Sequence, residues 1–363
     1  MKIPYLDLSI QGDMLSRISE RIQKVLSSGQ YILGEELRTF EHTFANYVGT
    51  KYAIGVNSGY SALYLVLKAI SIKPGDEILT VSNTFVATVA AIEEVGAKPI
   101  FIDIGEDGNI NPELIEQSIT SRTKCILPVH LSGNPCKMDQ INEIAKRYNL
   151  FVVEDSAQSI GSEIYGKKTG GMSDVSCFSL HPTKVLGACG DAGIITTNRD
   201  DIYESIVLLR NHGLINREEC VMWGDNSRLD EIQATILNEK FMTLDKDIER
   251  RRAIADLYSQ LILNKRITLH KTDFGYKSNY FNYMIRCSSR EQLKHYLQKN
   301  GIDVRIHYPV PVHQQPVYVN KYGRLILTQT EQRAKEILSL PCNSQISDDE
   351  VSFISQVVNS FSY

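Results

Sequence analysis

Lys184 lies in FSLHPTKVLGACGDAG (178–193), between a short apolar run and a loop punctuated by Gly187, Gly190 and Gly193. Pro182 stiffens the approach to it, and the glycines permit close backbone contact. A loop lysine is ordinarily a solvated charge, but one held beside a low-dielectric pocket loses its proton and becomes a nucleophilic amine. Three other stretches could work with such an amine. SGYSAL (58–63) reads as a strand-to-helix turn with Gly59 at the bend, where free backbone N–H groups and the positive helix end form an anion site. Phe85, in NTFVAT, follows a strand-like run and offers a ring face. FVVED (151–155) ends in Glu154 and Asp155. Side chains alternate along a strand, so only one of these carboxylates can face a site beyond its carboxyl end.

Each signal taken singly also has a structural reading: a turn, a core aromatic, solvated acids, a loop charge. Taken together, and in chain order, they match the demands of pyridoxal phosphate. Its phosphate needs backbone donors, its ring a stacking face, its pyridine nitrogen a carboxylate and its aldehyde an amine. Other cofactor patterns are absent. There is no G-x-x-x-x-G-K-[ST], and GACGDAG lacks the strand–glycine–helix setting of a dinucleotide site. His130, Cys125 and Cys136 lack the spacing of a zinc set, so no metal is expected.

The elements that must position these groups follow from periodicity. Met14, Ile18, Ile22, Val25 and Leu26 recur at helical spacing up to Gly29, and EELRTFEHTFANYVG reads as a second amphipathic helix. From there short apolar runs at 53–56, 74–81, 98–104, 125–130, 151–155, 175–180 and 193–197 alternate with helical stretches, the pattern of a largely parallel sheet covered on both faces. EKFMTLDKDIERRRAIADLYSQLIL (239–263) reads as one long helix, after which YFNYMIRC and SREQLKHYLQKNGI suggest a smaller α+β unit. The expected division is 1–245, a large α/β domain with an N-terminal arm, and 246–363, a small C-terminal domain.

The chain of 363 residues has 39 Lys and Arg against 43 Asp and Glu, a formal charge of −4, with 42% hydrophobic residues. That is the balance of a soluble globular protein, with no basic excess to point to nucleic acid. The opening MKIPYLDLSIQGDML has no apolar signal core, and no stretch approaches about 18 uninterrupted apolar residues, so no membrane association and a cytoplasmic location are expected. The seven cysteines form no C-x-x-C pair and read as reduced, mostly buried thiols.

The motifs YLDL, SGQYILGEEL, SGYSAL, NTFVAT, ILPVHLSGNP, VVEDSAQSIG, FSLHPTKVLGACGDAG, RNHG, GDNSRLDEIQA, HYPVPVHQQP and SLPC span nearly the whole chain. With them the sequence resembles the sugar aminotransferases of the DegT/DnrJ/EryC1/StrS family, which have the aspartate aminotransferase type I fold. The resemblance implies that Lys184 carries the cofactor covalently, Asp155 pairs with the pyridine nitrogen and Gln158 contacts the phenolic-oxygen side of the ring. It implies that Phe85 stacks on the ring, and that Gly59 and Tyr60 give backbone donors to the phosphate while Ser179 adds a hydroxyl. Asn226 would reach the phosphate of the other subunit, so the active site would exist only in a homodimer. His307, Tyr308 and His313 are candidates for the sugar site. Arg228 serves phosphate or substrate, or pairs with Asp230 or Glu231. Tyr60, His181, Val185 and Ala192 depart from the commonest residues at their positions. One branch of the family has histidine in place of the anchor lysine and performs dehydration; Lys184 sides with amino transfer.

The implied donor is L-glutamate. PYLDL and SGQYILGEEL resemble members that aminate C3, which favours a dTDP-linked 3-keto-6-deoxyhexose as acceptor. The alternatives are amination at C4 of a nucleotide-linked 4-keto-6-deoxyhexose and, from another class, a regulatory protein that binds pyridoxal phosphate without turnover.

Overall fold

The computed structural model describes residues 2–362. Seven strands form the main sheet: β1 (Tyr52–Val56), β2 (Glu77–Val81), β3 (Lys98–Ile102), β4 (Thr123–Leu127), β5 (Phe151–Asp155), β6 (Val175–Ser179) and β7 (Gly193–Thr197). Their order is β1-β7-β6-β5-β4-β2-β3. Only β7 runs against its neighbours; the other pairs are parallel. The chain is an α/β protein with a mixed, mainly parallel sheet. Its strands are short apolar runs because both faces are covered: Ile54, Leu79, Ile126, Val153 and Ile195 are fully buried.

Helices α1 (Gly12–Ser28), α2 (Glu35–Val48), α3 (Gly59–Ala69), α4 (Val86–Glu94), α5 (Met138–Tyr148), α6 (Asp200–Leu209) and α7 (Glu231–Phe241) surround this sheet. The expected long helix is interrupted. α7 ends at Phe241 and α8 runs from Leu244 to Leu261. Between them Met242 and Thr243 donate to carbonyls three residues back, a tightened last turn, and the Thr243 hydroxyl bonds Asp247 at 3.2 Å. The helical period runs straight through because the interruption is so short.

α8 joins two cores. Its first half buries Leu244 and Ile248 with Phe40, Phe44 and Leu237 beside the main sheet. Its second half buries Ile254, Ala255 and Tyr258 in a separate cluster. That cluster packs around the small antiparallel sheet β8 (Thr268–Leu269), β9 (Tyr283–Arg286) and β10 (Ile337–Leu340). Helices α9 (Arg290–Lys299), α10 (Pro316–Tyr322), α11 (Thr328–Glu336) and α12 (Asp348–Asn359) complete this half. Among the described residues no helix is long and apolar enough to cross a membrane, and no cluster of His, Cys, Asp and Glu could hold a metal ion.

The registers set up the site. Asp155 pairs with Cys177 of β6, so β5 and β6 end side by side. On the other flank Gly193 lies opposite both Val56 of β1 and Ser179 of β6. A Cβ on Gly193 would lie 2.4 Å from the Ser58 carbonyl, so a glycine is required for the turn into α3 to approach β6 this closely.

Candidate active site

A cavity of about 420 Å³ opens at the carboxyl ends of β5 and β6. Gly59, Tyr60, Phe85, Asp155, Gln158, Ser179 and Lys184 line it, joined by His307 and Tyr308 from the smaller half. The sequence therefore expected these nine residues in one place, and the fold brings them there.

Asp155 is 4% exposed. Its Oδ2 accepts from the Thr88 hydroxyl at 2.7 Å and its Oδ1 from the Ala157 N–H at 3.1 Å. Burial raises its pKa, while Thr88, the Ala157 N–H and the charge of Lys184 act against the rise. Its neighbour Glu154 turns to the other face, as strand alternation requires. There Glu154 is fully buried and accepts from His130 Nε2 (2.9 Å), the Gly170 N–H (2.9 Å), the Met172 N–H (3.2 Å) and the Ser173 hydroxyl (2.7 Å). Burial alone would raise its pKa; His130 and the other donors hold it below the ordinary carboxylate value.

Lys184 Nζ stands 4.7 Å from the centre of the Phe281 ring. Burial pushes its pKa down to about 8, with the Asp155 charge opposing. The amine is therefore half neutral near pH 8, against about 10.4 for a solvated lysine. The predicted consequence is that trapping of pyridoxal phosphate on Lys184 by borohydride rises steeply from pH 7 to 9. A trapping curve that climbs only above pH 10 would contradict this environment.

Gly59 and Tyr60 open α3, whose N-cap Ser58 satisfies Ser61 N–H at 3.0 Å. Gly59 lies against Ser179, where an added Cβ would come within 2.8 Å of the serine Cβ. The helix start and the Ser179 hydroxyl thus face one corner of the cavity, the setting of an anion site. Gln158 is clamped: its Oε1 accepts from Ser132 N–H at 2.7 Å and its Nε2 donates to the Tyr308 hydroxyl at 3.1 Å. Burial, then the Asp155 charge, pushes the Tyr308 pKa up to about 12. Burial, then the Lys184 and Arg305 charges, push His307 down to about 4, so its ring is neutral at pH 7. Phe85 is 55% exposed at the mouth, its ring 5.8 Å from that of Tyr308.

His313 needs correction as a sugar-site candidate. It is 1% exposed and uses both ring nitrogens, Nδ1 with the Ser82 hydroxyl at 2.6 Å and Nε2 with Glu331 at 3.2 Å. It ties the end of β2 to α11, outside the cavity. Asn226 and Arg228 also lie outside this chain's cavity. Asn226 is exposed and bridges to Asn211. Arg228 donates to Asn211 Oδ1 at 3.3 Å rather than pairing with Asp230 or Glu231. Glu231 instead accepts the N–H groups of Gly34, Glu36 and Leu37.

Thr88 and Phe281 are not among the residues expected from the sequence. The signal for Thr88 is its place one helical turn beyond Phe85. Phe281 carried no signal, since a segment far along the chain brings it to Lys184. Asn279 seats that segment by donating to the Gln158 and Ile160 carbonyls at 3.0 and 2.9 Å.

An amine with a lowered pKa, a buried carboxylate, a flanking aromatic and an anion-binding helix start share this one cavity. The residues present fit pyridoxal phosphate. The DegT/DnrJ/EryC1/StrS aminotransferase family profile matches residues 13–361. The chain belongs to this family. It is 42% identical to the dTDP-3-amino-3,6-dideoxy-alpha-D-galactopyranose transaminase of Aneurinibacillus thermoaerophilus, over 99% of this chain and 100% of that one. It is 38% identical to a pleiotropic regulatory protein of Geobacillus stearothermophilus, over 99% of each. The crystal structure of S. venezuelae DesV in complex with a ketimine intermediate superposes with a TM-score of 0.96, at 36% identity, covering 99% of this chain and 98% of that one. This member of the family is a pyridoxal-phosphate-dependent aminotransferase.

Proposed function

We propose that the enzyme moves the amino group of L-glutamate to C3 of a dTDP-linked 3-keto-6-deoxyhexose, giving a 3-amino-3,6-dideoxy sugar. Full-length identity of 42% to a relative named for a 3-amino product carries the choice of C3. Meeting of the Lys184 amine and the Asp155 carboxylate in one cavity carries the chemistry.

When bound, pyridoxal phosphate supplies an aldehyde that holds an amine and a ring that spreads carbanion charge. Lys184 would hold the cofactor through its Nζ and would be freed when the donor amine binds. Its Nζ, about half neutral near pH 8, would then move the proton from the donor Cα to the aldehyde carbon of the cofactor, and in the second half-reaction from that carbon to the sugar carbon that receives the amine. Asp155 holds the proton on the ring nitrogen. The Gly59 and Tyr60 N–H groups and the Ser179 hydroxyl hold the phosphate, Phe85 covers one ring face, and Gln158 orients the ring edge. Neutral His307 and the un-ionised Tyr308 face the sugar and present hydrogen bonds without charge. Each chain lends Asn226 to the phosphate in the partner's site of a homodimer. Free buried thiols accord with a reducing cytoplasm.

Running the reaction backwards tests the sugar assignment. The pyridoxal form should be bleached by a dTDP-3-amino-3,6-dideoxyhexose and unchanged by the 4-amino isomers. Bleaching by a 4-amino sugar alone would move the assignment to C4. Absence of any half-reaction, with glutamate as with sugars, would favour a regulatory binder.

A further inference from the structure

We propose that Thr84 and Thr88 form a hydroxyl relay that positions the Asp155 carboxylate toward the ring nitrogen of the cofactor, with Thr88 as the positioning residue. This rests on the role proposed for Asp155.

The observation is a chain of short contacts. Thr84 Oγ1 and Thr88 Oγ1 are 2.8 Å apart, and Thr88 Oγ1 donates to Asp155 Oδ2 at 2.7 Å. Thr88 has one hydroxyl proton, already given to Asp155, so Thr84 is the donor in the first contact. Thr84, Thr88 and Asp155 are 3%, 2% and 4% exposed, which removes water as a competing partner. The Ala157 N–H holds the other carboxylate oxygen at 3.1 Å. The two donors hold one carboxylate oxygen each. A buried carboxylate that must stay charged needs such donors, and each is strengthened by the absence of water.

The placement of the threonines follows from the helix. Phe85 is the N-cap of α4, Thr84 precedes it and Thr88 lies in the first turn. The same turn that presents Phe85 to the cavity therefore aims Thr88 at Asp155. The other titratable groups facing Asp155 are Lys184 and His130, which favour its charge, and Tyr308, Cys136 and Cys177, whose ionisation its charge opposes.

The test uses the reconstituted enzyme and four variants: Thr88→Val, Thr88→Ser, Thr84→Val and Asp155→Ala. Single-turnover rates with L-glutamate are measured against pH, with natural cofactor and with a deaza analogue carrying carbon in place of the ring nitrogen. Thr88→Val should slow the natural-cofactor reaction by about 10-fold, the loss expected from one hydrogen bond to a charged group. The acidic limb of its rate profile should move to higher pH, because the carboxylate is harder to ionise. The pH midpoint of the bound cofactor's visible band should shift as well. Thr88→Ser should restore all three readouts to near-parental values, and Thr84→Val should show a smaller change in the same direction. With the deaza analogue, Thr88→Val and the parent should run at the same rate.

Parental rates and midpoints in Thr88→Val, beside a slow Asp155→Ala, would overturn this inference alone. An equal slowing with both cofactors would reduce Thr88 to a packing role. A parental rate in Asp155→Ala would sink the Asp155 reading and this inference with it. Should Thr88→Val fail to fold, Thr88→Ala carries the same expectations.

Discussion

Lys184→Ala should lower turnover by about 10⁴-fold, the upper range for loss of a positioned general acid and base, since it removes the covalent anchor as well. The protein should still fold and bind pyridoxal phosphate. The amine stands at the end of a loop whose backbone is fixed elsewhere: Lys184 N–H donates to the His181 carbonyl at 2.8 Å, and Ala188 N–H to that of Leu180 at 2.8 Å. The α3 start, Ser179 and Asp155 remain in place for the phosphate and ring. Bound cofactor should thus survive gel filtration, yet no longer be trapped on the protein by borohydride. Small amines such as methylamine should restore part of the rate by supplying a mobile base. Turnover within 10-fold of the parent would place the essential amine elsewhere.

Asp155→Ala should slow the single-turnover reaction with L-glutamate by about 10²–10³-fold, the cost of losing one preorganised charge at a reacting centre. Cofactor retention should change much less, because the phosphate contacts and the Lys184 bond do not involve Asp155. The variant also leaves the Thr88 hydroxyl and the Ala157 N–H without a partner, a stability cost of about 1–3 kcal/mol. Asp155→Asn keeps an acceptor oxygen for the Ala157 N–H and turns an amide donor toward the Thr88 oxygen, so it removes the charge with less loss of hydrogen bonding. It should be as slow as alanine but closer to the parent in thermal stability. Parental single-turnover rates in both variants would remove Asp155 from the chemistry.

Much of this site could be read from the chain because its parts sit at strand ends. Strand alternation alone says that Glu154 and Asp155 part company; the fold sends Glu154 to His130 and Asp155 to the cavity. Gly59 and Ser179 were legible as turn and strand end, and the sheet order that places them together follows from pairings across β7. HYPVPVH misled because three candidate residues stood close in sequence. Pro309 and Pro311 carry the chain away from the cavity after Tyr308, and His313 is consumed by Ser82 and Glu331. Phe281 lies 97 positions after Lys184 in the sequence, and no local pattern announces a contact fixed by the side chain of Asn279. The interruption between α7 and α8 was hidden for the opposite reason: Leu244 and Ile248 keep the helical period while the chain makes one tight turn.

The central claim, that Lys184 and Asp155 work on one bound pyridoxal phosphate to move an amino group, is tested most directly by the visible spectrum of the purified enzyme. Reconstituted with pyridoxal phosphate, it should show a visible band that L-glutamate bleaches within one turnover, releasing one equivalent of 2-oxoglutarate per site. A protein that takes up no pyridoxal phosphate, or whose band L-glutamate and other amino donors leave unchanged, would contradict the account.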